Sequence, residues 1–197
     1  MQGQSHFAPS DVLHFRTRAV NDALLVVGGS LFLGLCAQLA IRLPFSPVPI
    51  TGQTFAVLVL GGLLGSRRGA LSVLAYLAEG MVGLPVFAGG GSGPLWLLGP
   101  TGGYLIGFVA AAWLVGWLLA RLSDGSVAST LVIALAGSAT IYLLGLPWLA
   151  HFVAADRAIA LGLLPFLAGD LVKIAVATAV LSQSPVLTRS RGSNTRV

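Results

Sequence analysis

The chain holds one cysteine, one lysine and one glutamate, Cys36, Lys173 and Glu79, among its 197 residues. A single cysteine excludes an intrachain disulfide and a cysteine-built zinc cluster. Charge of either sign is scarce: 9% of residues are charged, against about 25% in an average soluble domain. No stretch fits a nucleotide-binding GxxxxGK[ST] loop, an HExxH zinc helix or a GxSxG nucleophile turn. These absences leave little for an enzyme or an ATPase to work with and point to binding or transport. The first twenty residues, "MQGQSHFAPSDVLHFRTRAV", have no apolar centre followed by a small-residue cleavage site, so the first apolar segment is expected to stay as an anchor. The net charge of +5 comes from arginines scattered over loops and tails, without the single basic patch that nucleic acid would need.

Apolar residues are abundant, 56% of the total with 26 glycines besides. A bilayer core takes about 20 apolar helical residues to cross, and helix is favoured because lipid offers no partner to a bare backbone group. Six segments qualify, at about 22–41, 51–65, 69–83, 101–120, 127–149 and 159–182. The second and third are short and joined by the basic turn "SRRG". The expected fold is an all-α integral membrane protein, a bundle of six transmembrane helices over 22–182, with tails at 1–21 and 183–197. The second tail is expected to be disordered. Pro44, Pro47 and Pro49 each remove a backbone donor and mark an extended, ordered loop after the first span. The run "GGGSG" (89–93) is expected to be a flexible linker.

Six spans put both termini on one side. That side receives Arg16, Arg18, Arg67, Arg68, Arg121, Arg189, Arg191 and Arg196, and the other receives Arg42 and Arg157. The excess of basic residues in cytoplasmic loops then predicts cytoplasmic termini in the cell (inner) membrane.

Asp170 and Lys173 interrupt the last span in "AGDLVKIAV". Each charge at a span's centre costs about 2.5–3.5 kcal/mol on insertion scales, so such residues mark a functional site by default. Three apart on a helix, they share a face and offset each other's burial. The pair either fixes helix packing or faces a cavity, where the carboxylate accepts from a ligand and the ammonium donates to it. Asp170 lies about 16 Å from the outer end of its span, near the midplane where transporter sites lie. Glu79 is the other acid within a span, either held between helices or aimed at a ligand. Thr51 and Gln53 in "PITGQTF" open the second span; Thr51 suits a cap, and Gln53 both donates and accepts. In "GPTGGYLIGF" (99–108), Gly102 and Gly103 permit close approach of a backbone or ligand, and Tyr104 brings a ring with a polar tip. Small residues four apart, Ser30 with Gly34 and Cys36 with Ala40, let another helix come close, either within the bundle or from a partner.

Four ordered blocks, "PVPITGQTFAVLVLGGLLGSRRGALSVLAYL" (47–77), "GLPVFAGG" (83–90), "GPTGGYLIGF" (99–108) and "GDLVKIA" (169–175), resemble the BioY family, the biotin-specific S components of energy-coupling-factor (ECF) vitamin transporters. The resemblance covers nearly all of 22–182 and implies an ECF S-component-like bundle with biotin, as transported substrate and not cofactor, in a pocket toward the outer side. It implies the loop between the first two spans as a lid and a site lined by Asp170 and Lys173, and Tyr104, Gln53, Thr51, Glu79, Phe87, Trp96, Gly102 and Gly103 complete the candidate substrate-binding set. It also implies partners: a transmembrane coupling subunit, docked through Ser30 and Gly34 or Cys36 and Ala40, and two cytoplasmic ATPase subunits. An autonomous ion-coupled carrier and a structural membrane protein with a buried ion pair are the competing readings.

Overall fold

The computed structural model describes residues 9–184. The C-terminal tail expected to be disordered lies, from 185 on, outside the described residues, as do residues 1–8 of the N-terminal tail. Seven helices follow one another: α1 (Pro9–Gln38), α2 (Gln53–Met81), α3 (Leu95–Leu98), α4 (Gly102–Leu122), α5 (Val127–Leu149), α6 (Ala155–Gly162) and α7 (Leu167–Ser182). Two short strands, β1 (Ala40–Ile41) and β2 (Ile50–Thr51), pair antiparallel and close off the proline loop. This loop is ordered, as its prolines predict. α1 begins well before residue 22, inside the stretch expected to be a tail.

Among the described residues four helices, α1 over 18–38, α2, α4 and α5, are long and apolar enough to cross a bilayer, and α6 with α7, bent by 50° at the break between them, is a fifth candidate if the pair counts as one span. The last expected span is thus a broken helix. α2 holds both the second and third expected spans in 29 residues, and it does not run straight. Gly65 has φ 79° and ψ 173° inside it, a combination essentially confined to glycine. The chain doubles back there: Gln53 Nε2 donates to Tyr76 Oη at 2.7 Å, whereas a straight helix would hold these residues about 35 Å apart.

Glycines bring the two arms of α2 together and seat their turn. A Cβ on Gly69 would lie 2.9 Å from the Gly61 Cα, and one on Gly116 of α4 would lie 2.2 Å from the Ser66 backbone nitrogen. Ala112 and Gly116, four apart on α4, therefore serve close packing within the bundle. Arg68, just past the turn, pairs with Asp22 of α1 at 2.6 Å. That bridge ties the start of the first span to the turn of α2 at one end of the molecule. The apolar interior fills the space between α2, α4 and α5, with Leu33, Val57, Leu58, Val73, Ala111, Val115 and Ile141 buried.

Candidate functional site

At the end of the bundle away from the Arg67–Arg68 turn, six segments converge on one cavity: the strand-closed loop, both ends of α2, the stretch 87–101, the first turns of α4, the middle of α5, and the start of α7. Its walls are aromatic and aliphatic, with Val48, Pro49, Phe87, Trp96, Leu105, Phe108, Ile141 and Phe166 on the lining. All three tyrosines of the chain, Tyr76, Tyr104 and Tyr142, also line it. The stretch 87–93 is ordered, contrary to the expectation of a linker. Phe87 pairs with Gly91 in a β-bridge, and the Gly93 N–H donates to the Gly80 carbonyl at 2.8 Å. Gly80 makes room for Phe87, since a Cβ there would lie 2.1 Å from the ring tip. Phe87 meets Tyr76 edge to face at 5.4 Å between centroids and lies against Trp96 at 6.0 Å, within the range where aromatic pairs attract.

The polar groups of the cavity form two clusters. In the first, Gln53 is 4% exposed and donates to the Tyr76 hydroxyl. Tyr76 keeps its own proton free to donate, and Gln53 keeps its carbonyl oxygen free to accept. Thr51 accepts from the Gln53 N–H at 3.3 Å in a turn ahead of α2, whose cap residue is Gly52, and it also lines the cavity.

The second cluster is built on Asp170, which is 4% exposed. Its Oδ1 accepts from Lys173 Nζ at 2.9 Å and from Thr54 Oγ1 at 3.2 Å. Its Oδ2 accepts from the Tyr142 hydroxyl. Three helices therefore meet at one carboxylate: α2 through Thr54, α5 through Tyr142 and α7 through Lys173. An ionised carboxylate has about four acceptor positions, so three are engaged by the protein itself. Lys173 has three N–H donors and gives one to Asp170. Its side chain, 19% exposed, carries the others at the cavity lining. Asp170 thus holds the ammonium and two hydroxyls, and two donors are left over on Lys173.

Of the residues expected from the sequence, Thr51, Gln53, Phe87, Trp96, Tyr104, Asp170 and Lys173 share the cavity. Glu79, Gly102 and Gly103 are not on its lining. Glu79 instead meets α1, where its Oε1 lies 2.7 Å from Ser30 Oγ. The two glycines serve helix packing: a Cβ on Gly102 would strike the Leu97 carbonyl and one on Gly103 the Trp148 side chain. Trp148 donates to the Gly99 carbonyl at 2.9 Å and pins the start of α4.

The small residues of α1 are likewise used internally. Ser30 is fully buried, and Gly34 is buried with Val86 3.7 Å from where a Cβ would be. Cys36 stands two residues before the helix ends at Gln38, and Ala40 lies beyond it in β1, so these two do not form one helical face. The stripe of α1 that faces outward is Val20, Leu24, Leu31 and Leu35.

Tyr76, Thr54 and Tyr142 were not expected in the site. The signal was present for Tyr142: it stands well inside α5 in "SATIYLLGLP", away from the surface belt where membrane tyrosines usually sit, so its hydroxyl needs a partner in the interior.

Apolar helices crossing a bilayer around a capped aromatic cavity, with a held lysine on its wall, define a multi-pass membrane protein that takes up a small ligand. The BioY family model matches residues 7–189, and the chain belongs to that family. It is 42% identical over 152 residues to the probable biotin transporter BioY of Pyrococcus horikoshii, covering 77% of this chain and 90% of the relative. It is 42% identical over 142 residues to the biotin transporter BioY of Thermotoga maritima, covering 71% of this chain and 82% of the relative. Among solved structures it is similar to the S-component for biotin from an ECF-type ABC transporter, with a TM-score of 0.77, 30% identity, and coverage of 85% of this chain and 92% of that one.

Proposed function

We propose that this chain binds biotin in the cavity beside Lys173 and mediates its uptake, as the S component of a transporter whose coupling and ATPase subunits are separate chains. The observation that carries this reading is the pairing of an aromatic enclosure with a lysine whose charge is balanced by Asp170 yet whose remaining donors stay unused. Biotin presents an apolar bicyclic body, a ureido group that donates and accepts, and a carboxylate. Gln53 with Tyr76 supplies an acceptor and a donor, and Lys173 supplies donors for a ligand oxygen.

Six passes are proposed, counting each arm of α2 and the bent α6–α7 pair; the reversal at Gly65 supports that count. Both termini are then cytoplasmic in the cell membrane. Arg18, Arg67, Arg68 and Arg121 support this, since the Asp22–Arg68 bridge and the Gly116–Ser66 approach gather them at the end opposite the cavity. Purified protein should bind biotin with one site per chain by titration calorimetry; no detectable heat at millimolar biotin would end the proposal.

The cavity, about 60 Å³, has room for a few waters and must widen for a bicyclic ligand. The proline loop is the element free to yield. Its Ser46 Oγ donates to the Leu161 carbonyl at 2.7 Å, latching the loop to the segment that leads into α7. One such bond is worth about 0.5–1.5 kcal/mol, so Ser46→Ala should speed biotin release by roughly 2- to 12-fold. Stopped-flow release of a fluorescent biotin analogue measures it, and an unchanged rate would exclude the latch.

Glu79, off the cavity lining, should matter little to the ligand. Glu79→Gln keeps a partner for Ser30 and should leave biotin affinity within about two-fold, because no bond to the lining is lost. A ten-fold loss would return Glu79 to the site.

A further inference from the structure

The Asp170–Tyr142 pair borders a second space. Opposite the cavity, both residues also line a groove of about 540 Å³ between α5 and the α6–α7 pair. Leu135, Ala139, Leu143 and Pro147 form its α5 wall, and Leu167 and Leu171 face them from α7. Leu135 to Pro147 is about 18 Å of helix, more than half of a hydrocarbon core about 30 Å thick. The groove opens outward, with Leu143 71% and Leu171 59% exposed. Both walls belong to membrane-crossing helices, so the medium at that opening is lipid hydrocarbon.

We infer that an acyl chain of a bilayer phospholipid seats in this groove and forms the outer wall behind Asp170 and Tyr142. Water is a poor occupant, because an ordered water needs two to four polar partners. Nine of the twelve lining residues are aliphatic and the polar ones are Ser138, Tyr142 and Asp170; Tyr142 and Asp170 are already bonded to each other, and Ser138 is buried. The groove follows α5 lengthwise, the direction in which lipid chains run, and its lining is almost wholly aliphatic. A chain seated there keeps water from reaching the carboxylate sideways. The ion pair then stays in a low-dielectric setting on its lipid side, where the attraction between its charges is strongest.

The test uses the full chain in phosphatidylethanolamine vesicles containing a phospholipid with a diazirine midway along one acyl chain, followed by photolysis and residue-level mass spectrometry. Labelling should concentrate on Leu143 and Leu171, at least five-fold above Val132, which is equally lipid-facing on α5 but outside the groove. Ala139→Trp, which fills the groove, should cut that labelling at least five-fold, and Val132→Trp should not. Even labelling of all exposed α5 positions in the wild type would overturn the proposal. So would a groove left unlabelled because a second copy or another protein covers it, or labelling that Ala139→Trp leaves unchanged. If Ala139→Trp fails to fold, the wild-type distribution alone decides. Biotin binding is not a readout here, so either reading can fail without the other.

Discussion

Asp170→Ala is expected to abolish measurable biotin binding and also to destabilise the protein, whereas Lys173→Ala should lose binding with a milder effect on the fold. The difference follows from how the bonds are distributed. Removing the carboxylate strips the acceptor from Lys173, Thr54 and Tyr142 at once and leaves a mostly buried ammonium without its counter-ion. Breaking a buried pair in this way costs about 3–5 kcal/mol. Removing Lys173 leaves the Asp170 carboxylate without its counter-ion but with two hydroxyl donors still in place, so the cost falls to about 3 kcal/mol or less. For the ligand, each change should weaken affinity by about a hundred-fold or more, the equivalent of roughly 2.8 kcal/mol. Calorimetric titration with biotin, beside thermal unfolding of the same preparations, separates the two effects. If both variants bind within three-fold of the wild type, the pair is structural only and the ligand lies elsewhere. If Lys173→Ala unfolds as readily as Asp170→Ala, the picture of Asp170 as the hub of three helices is wrong.

The charged part of this site was visible in the sequence because charge is so rare there. A lone lysine three residues from an aspartate within an apolar run has a known cost, and that cost demands a reason. The hydroxyl part was much less visible. Thr54 and Tyr76 are ordinary residues for their helices, and only the reversal at Gly65 brings Tyr76 back beside Gln53. Sequence spacing places those two residues far apart. Glycine was the most misleading signal. Gly102 and Gly103 have the composition of a ligand-contacting turn, yet the space they leave is taken by Leu97 and Trp148. "GGGSG" looks like slack chain but closes a bridged turn against Phe87. A missing side chain states only that something approaches closely; whether it is ligand, helix or ring depends on partners distant in sequence. The same holds for Ser30 and Gly34, whose spacing suits an external helix but whose neighbours, Glu79 and Val86, belong to this chain. The break at "SRRG" was legible because a basic pair interrupts two apolar runs, and α2 reverses beside it at Gly65.

Gly116→Leu should all but eliminate folded protein, and Gly28→Ala should not. Both are helical glycines in apolar segments, and sequence alone gives no reason to rank them. Around Gly116 a Cβ would lie 2.2 Å from the Ser66 nitrogen, 2.5 Å from the Gly65 carbonyl carbon and 2.6 Å from the Gly61 oxygen. All of these are backbone atoms, which cannot swing aside as a side chain can. They belong to the turn of α2, where Gly65 already holds a φ of 79° that a larger residue would strain. Extra methylenes in a packed core cost about 1–3 kcal/mol where side chains can adjust; here α4 must move off the turn, separating the two arms of α2 from their main support. Since those arms carry Gln53, Thr54 and Tyr76, any residual folded Gly116→Leu protein should also bind biotin poorly. At Gly28 a Cβ would meet nothing within 4 Å, and alanine is favoured over glycine in a helix interior by about 0.5–1 kcal/mol. Gly28→Ala should therefore match or slightly exceed the wild type in thermal stability. Size-exclusion yield and unfolding midpoint of the two variants, prepared side by side, decide the matter. A well-folded Gly116→Leu protein would mean that α4 does not rest on the reversal of α2, and the arrangement that brings Gln53 to Tyr76 would need another support.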